Sequence, residues 1–238
     1  MTTSPTVVLV HGAFADAGSW AGVTVILQAA GVPVLAPGLP LRSIPGDTAY
    51  ITSVVAQIDG PVLLVGHSYG GAIISNSATQ SANVVGLVYV SGFLTEEGEK
   101  LSAIEGDSRD SALGPALQQR QFPVDGGTAV ELYVDPAKFP AVFAADLPAA
   151  QGAVLAASQR PVAAAAFDEP NGAPGWKTLP SWAVVATGDK AAGSDVLLSL
   201  AKRAGATLTT LEGSHLIMVS QPQAVTDVIL TAWKAVTK

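Results

Sequence analysis

Short β-branched apolar runs alternate along this chain with stretches able to form helices, and that alternation constrains its fold more than any other feature. Thr6-Val7-Val8-Leu9-Val10 ends abruptly at His11-Gly12, and similar runs recur at 33–36, 62–66, 84–90, 181–187 and 206–211. Runs of this kind are strands buried on both faces. Helix-capable segments lie between them at 19–30, 48–59, 70–81, 193–204 and 222–236, with Gly31 and Gly205 where helix C-caps belong. Strand–helix alternation predicts an α/β fold: a mostly parallel sheet of about six strands, with right-handed crossovers placing helices on both faces.

Residues 95–180 break the alternation. They hold nine of the sixteen prolines, together with twelve acidic and six basic side chains. So many breakers leave room only for short helices, expected at 112–121, 137–145 and 149–158. The segment leaves after one sheet strand and returns into the next. It is therefore read as a helical cap or lid (95–180) inserted in a core formed by 1–94 and 181–238.

Several function classes are excluded at this level. The net charge is −7, so no basic surface for nucleic acid is expected. With no cysteine, a thiolate nucleophile, a disulfide scaffold and a zinc-thiolate site are all ruled out. No apolar stretch approaches the roughly 18–20 residues of a membrane span. Met1-Thr2-Thr3-Ser4-Pro5 lacks the basic and apolar regions of a leader, so the cytoplasm is the expected compartment. Three scattered histidines do not suggest a metal site, and no cofactor is expected. Oligomeric state is not legible.

The chemistry concentrates in Gly66-His67-Ser68-Tyr69-Gly70-Gly71, between the run Val62–Val65 and the helix-prone Ala72-Ile73-Ile74. This is G-x-S-x-G in the strand–turn–helix setting that its mechanics require. Small neighbours at Gly66 and Gly70 permit a sharp turn, and Ser68 is lifted clear of the sheet at a helix N-terminus. A serine needs a base. His67 lies inside the elbow and His11 in a turn, which leaves His215, in Gly213-Ser214-His215 after the last strand. Among twelve aspartates, Asp189 is selected by position. It follows strand 181–187 at the carboxyl end, and the order Ser–Asp–His suits this architecture. Asp195 and Glu96 are the rivals. For an oxyanion, the backbone N–H of Tyr69 and that of Ala13 are the expected donors, with Phe14 N–H as the fallback and Gly12 allowing close approach to substrate. Phe14, Phe93 and Leu216 are expected to line the pocket, with Trp176 and Trp182 as further candidates.

With these motifs in hand, the chain resembles the α/β-hydrolase superfamily everywhere outside the cap. The six expected strands correspond to the family's central ones, without its first two. Val8-Leu9-Val10-His11-Gly12-Ala13 followed by Gly18-Ser19-Trp20 resembles the branch of plant methyl-ester esterases and hydroxynitrile lyases. It is also similar to related bacterial esterases, including pyrethroid-hydrolysing ones. The lyases carry threonine where Gly12 stands and lysine where Leu216 stands, so the resemblance implies ester hydrolysis. Relatives with an aspartate nucleophile are set aside by Ser68. Where many relatives have a proline after the acid, this chain reads Asp189-Lys190-Ala191-Ala192-Gly193. The function expected is a carboxylesterase acting on a small, neutral, hydrophobic ester or lactone through an acyl-enzyme. The alternatives are a cofactor-free perhydrolase, an amidase or a carbon–carbon bond hydrolase on the same triad, or a small-molecule receptor with little turnover.

Overall fold

A computed structural model describes residues 4–237 of the chain; Met1–Thr3 of the leader reading therefore lie outside the described residues. The strands, in chain order, are β1 (Thr6–Val10), β2 (Val34–Leu35), β3 (Val62–His67), β4 (Val84–Val90), β5 (Leu117–Val124), β6 (Gly127–Val134), β7 (Val162–Ala163), β8 (Ser181–Ala186) and β9 (Thr207–Leu211). Six of them form one parallel sheet in the order β2-β1-β3-β4-β8-β9. Every residue of β3 is buried. Because successive side chains point to opposite faces, both faces of the sheet are covered at its centre.

The helices are α1 (Ala21–Ala29), α2 (Ile44–Ala56), α3 (Tyr69–Ala78), α4 (Leu101–Gly106), α5 (Phe139–Phe143), α6 (Ala149–Ser158), α7 (Ala165–Asp168), α8 (Ser194–Arg203), α9 (Ile217–Ser220) and α10 (Pro222–Val236). α1 packs with α10 and α2 with α3. α2 begins four residues before its expected start. The Ser43 hydroxyl accepts the Gly46 N–H, and Pro45 sits in the first turn, so this N-terminus is capped earlier than apolar spacing suggests. Gly31 and Gly205 close their helices with φ of +75° and +66°.

Segment 95–180 departs from the helical cap expected of it. Residues 112–121 do not form a helix; a short 3-10 turn at Gly114–Ala116 leads into β5. β5 and β6 make an antiparallel hairpin, and β7 adds a third strand in the order β5-β6-β7. The reason is local. Val124 pairs with Gly127, so Asp125-Gly126 is a two-residue turn, with Gly126 at φ +82°. Gly126 supplies the positive φ of this turn, and the polar, exposed residues of β5 carry no buried-strand pattern to announce it. The other two cap helices form, as α5 and α6. None of the described helices is long and apolar enough to cross a membrane.

Since β3 is the most enclosed strand, its truncation is the sharpest test of this core. Leu64→Ala should lower unfolding free energy by about 2–5 kcal/mol in urea titration. Val25→Ala, on the exposed flank of α1, should stay within about 0.5 kcal/mol.

Candidate active site

The parallel sheet brings the ends of β1, β3, β4, β8 and β9 to one edge, and the sequence-selected residues follow those strands. Ser68 joins β3 to α3 with φ +52° and ψ −123°, a left-handed backbone that a side-chain-bearing residue rarely adopts. The turn is held by its neighbours. The Ser68 N–H donates to the Val90 carbonyl at 3.3 Å, and the Ser68 carbonyl accepts from Gly71 N at 2.8 Å and Phe93 N at 3.2 Å. Glycine is required on both sides. A Cβ on Gly66 would stand 2.5 Å from the Gly70 carbonyl oxygen, and one on Gly70 would stand 2.5 Å from that of Val10. Gly12 packs against the elbow itself: a Cβ there would lie 2.7 Å from Ser68 Cβ.

His215 and Asp189 are fully buried and joined, with Nδ1 donating to Oδ2 at 2.6 Å. The other carboxylate oxygen, Oδ1, accepts the N–H groups of Ala191 and Ala192 at 2.9 and 3.0 Å. A proline at either position would remove one of these donors, so the proline-free loop is the arrangement that fixes the carboxylate here. With Nδ1 committed to Asp189, the basic nitrogen of a neutral ring is Nε2. It is buried with no protein hydrogen-bond partner, and it belongs to a residue that lines the same cavity as Ser68. The rivals are occupied elsewhere. Asp195 accepts from Ser108 Oγ and Arg109 N, while Glu96 pairs with Lys177.

The other two histidines support the frame. His11 Nδ1–H donates to the Gly12 carbonyl and Nε2 accepts the Leu39 N–H, both at 2.8 Å, which ties the loop after β1 to the chain beyond β2. His67 Nε2–H donates to the His215 carbonyl at 3.1 Å, and the two rings lie 4.6 Å apart. Burial lowers the pKa of His11. It lowers that of His67 well below the ordinary value, with the His215 charge adding to the effect.

The Phe14 N–H donates to the Arg160 carbonyl at 3.1 Å, so the fallback oxyanion donor is already engaged. No hydrogen bond is made by the Ala13 or Tyr69 N–H among the described residues. The Tyr69 side chain is anchored separately, its hydroxyl donating to the buried Asp47 carboxylate at 2.8 Å. Burial and that carboxylate raise the phenol pKa far above its usual value.

The cavity over Ser68 and His215 is tight, with a volume of about 10 Å³, roughly the room of one water. Phe14 and Phe93 line it. Leu216 does not; it faces a separate small cavity beyond Phe14. Trp176 and Trp182 do not either. Trp182 is on β8, against Gly86 of the sheet, and Trp176 donates its indole N–H to the Thr95 carbonyl, so both serve packing. The remaining walls come from residues that sequence reasoning missed: Glu105, Leu113, Phe143 and Phe167 of segment 95–180, with Ala191 and Ala192. Phe143 sets its edge against the His215 ring at 4.9 Å and packs on Phe14 at 5.7 Å. No local motif marks these residues, because only tertiary folding brings them over the site.

The sequence profile of the Alpha/beta hydrolase family matches residues 7–228. The chain belongs to that family. It is 33% identical over 105 residues to the pyrethroid hydrolase of Sphingobium wenxiniae, a match covering 39% of this chain and 37% of that protein. It is 33% identical over 110 residues to a carbendazim hydrolyzing esterase from a Nocardioides species, covering 41% and 46% respectively. In both cases the matched stretch is under half the relative's length. Polyneuridine aldehyde esterase superimposes with a TM-score of 0.81 at 19% identity, over 96% of this chain and 99% of that one, which establishes the shared fold. This α/β hydrolase thus resembles, in sequence and in fold, proteins named as hydrolases and esterases. No group of three or more His, Cys, Asp or Glu able to hold a metal occurs among the described residues.

Glu105 gives the site a measurable signature. Burial, then the Asp189 charge, pushes its carboxyl up to about 8 from an ordinary 4.5. Between those values the folded protein holds a proton that the unfolded chain has released. The group's contribution is therefore fully present below about 4.5 and is lost as pH rises toward 8. In urea titrations, the wild-type midpoint should fall relative to that of Glu105→Gln as pH rises from 5 to 8. Parallel midpoints would show that the carboxyl is not perturbed.

Proposed function

We propose that the chain is a serine carboxylesterase acting on small, neutral, hydrophobic esters or lactones. The observation that carries this reading is a buried 2.6 Å His215–Asp189 pair, with an unpartnered Nε2 in the cavity that holds the strained Ser68. Ser68 Oγ attacks the ester carbonyl while His215 Nε2 takes its proton. Asp189 stabilises the imidazolium and holds its tautomer. The tetrahedral oxyanion is received by the Ala13 and Tyr69 N–H groups, at the N-terminus of α3, where the helix dipole favours negative charge. The imidazolium returns its proton to the leaving alcohol. His215 then deprotonates a water that cleaves the acyl-enzyme, releasing the acid and restoring Ser68.

Segment 95–180 acts in this scheme as a cap over a core made of 1–94 and 181–238. It supplies the Phe143, Phe167 and Leu113 walls, which keep bulk water from the acyl-enzyme. The walls are apolar, and no Lys or Arg lines the cavity, which supports a neutral substrate. Names borne by the partial relatives, a pyrethroid hydrolase and a carbendazim hydrolyzing esterase, are consistent with ester-like substrates.

Hydrolysis of p-nitrophenyl esters of increasing acyl length tests the reading. Wild type should turn over, and Ser68→Ala should abolish the enzymatic rate. Asp189→Asn should lower kcat by about 10⁴-fold, by releasing the tautomer of His215. Turnover that survives Ser68→Ala would overturn the nucleophile. Ester inertness combined with peracid formation, amide cleavage or carbon–carbon bond cleavage would move the same triad to another reaction, and tight ligand retention without turnover would indicate a receptor.

A further inference from the structure

The proposed chemistry needs the His215 ring held in one place, and the bond from Nδ1 to Asp189 fixes only one side of it. The rest of the hold is on the main chain around it. The His215 carbonyl accepts from His67, as described above. The Leu216 N–H donates to the Phe143 carbonyl at 3.1 Å. The Ser214 hydroxyl, on a buried residue, reaches both the Phe143 carbonyl, at 3.1 Å, and Oδ1 of Asp146. Phe143 ends α5, and Asp146 lies in the turn just beyond it. One short stretch of segment 95–180 therefore grips the chain on both sides of the base, while the Phe143 ring sets its edge on the imidazole.

The carboxylate decides how these bonds are shared. A hydroxyl has one proton to donate, and a charged acceptor holds it more strongly than a neutral carbonyl does. With Asp146 in place, the Ser214 proton goes to the carboxylate, and the Phe143 carbonyl is left to the Leu216 N–H. Without Asp146, the Ser214 proton turns to that carbonyl and competes with Leu216 for it. Gly213 leaves room for the contact, since a Cβ there would stand 2.7 Å from Oδ2 of Asp146. Asp146 itself is exposed, on the wall of an open cleft shared with Glu212, Ser220 and Gln221. No Lys or Arg forms a salt bridge with it among the described residues, so a surface ion pair does not account for its placement.

We infer that Asp146 is a positioning residue for the base: by taking the Ser214 proton it keeps the His215 loop clamped to the end of α5, and so ties the base to segment 95–180. Asp146 does not line the cavity over Ser68 and acts only through Ser214. The inference rests on the reading of His215 as the base of a serine nucleophile. Its effect falls on the rate of the chemical step rather than on substrate binding, because proton transfer depends on the placement of Nε2 more steeply than binding does.

The test measures p-nitrophenyl ester hydrolysis and the rate of Ser68 phosphonylation by a fluorophosphonate ester. The variants are Asp146→Ala, Asp146→Asn, Ser214→Ala and the double variant of Asp146→Ala with Ser214→Ala. Each rate is expressed per site phosphonylated at completion, so that misfolded protein does not count. Asp146→Ala should lower kcat and the phosphonylation rate between about tenfold and a hundredfold, the cost of displacing a catalytic group by up to about 1 Å, with KM unchanged. Asp146→Asn, which keeps an amide oxygen as acceptor, should recover most of that loss. Ser214→Ala should match Asp146→Ala, and the double variant should be no worse than either. Glu212→Gln removes another charge from the same cleft and should leave both rates unchanged. Wild-type rates in Asp146→Ala, equal losses in the alanine and asparagine variants, an equal loss in Glu212→Gln, losses that multiply in the double variant, or a change confined to KM would overturn the inference. Should Ser214→Ala misfold, the contrast between Asp146→Ala and Asp146→Asn decides. The two readouts separate the claims. Phosphonylation slowed by Asp146→Ala in a protein inert toward esters overturns only the esterase reading. Ester hydrolysis indifferent to Asp146→Ala overturns only the role of Asp146, and a wild type that neither hydrolyses esters nor labels at Ser68 overturns both.

Discussion

The backbone of Ser68 is the constraint on which the rest of the site depends. A residue held at φ +52° costs on the order of 1–3 kcal/mol and persists only where its surroundings leave no alternative. Here the surroundings are the β4 strand end, the loop beyond it, and the first turn of α3, all bonded to Ser68's own N–H and carbonyl. Gly66 and Gly70 let these backbones touch. The turn places Ser68 at the end of β3 and the N-terminus of α3, beside the cavity it lines. A parallel sheet with crossover helices is the architecture that can brace such a turn, because neighbouring strands end at the same edge and lend it their carbonyls.

Electrostatics then separates three histidines that composition alone would leave equivalent. His11 and His67 are buried, neutral, and spent on backbone groups. His215 has a carboxylate on one nitrogen and open cavity at the other. The same logic separates the acids. Asp189 is held by two backbone N–H donors and the imidazole, while burial and the Asp189 charge raise the pKa of Glu105, which has no such partners. Two carboxyl groups near one imidazole thus acquire different chemical characters from their surroundings.

Much of this was legible in the sequence because it is local. The β-branched runs mark the central strands within a residue or two, and the spacing of glycines around Ser68 announces a turn whose geometry only glycine permits. Asp189 and His215 follow from chain order and from the strand ends. Segment 95–180 was less legible. Asp125-Gly126 was the signal for a hairpin, but β5 is polar and exposed, so it lacks the apolar pattern that identifies a strand. The pocket was hardest to read. Phe143, Phe167 and Leu113 face Ser68 only through long-range packing, and large aromatic residues such as Trp176 and Trp182 are equally at home in the core, where the fold puts them. Glu105 carries no motif at all; its character comes from what is absent around it.

The most direct test of the central claim is covalent labelling with a fluorophosphonate ester, followed by mass spectrometry of the peptide that spans β3 and α3. Ser68 should carry a single adduct per chain, formed in step with loss of ester hydrolysis, and His215→Ala should suppress it. Full inhibition with the label on another residue, or hydrolysis continuing in fully labelled protein, would contradict the assignment of Ser68 as the nucleophile.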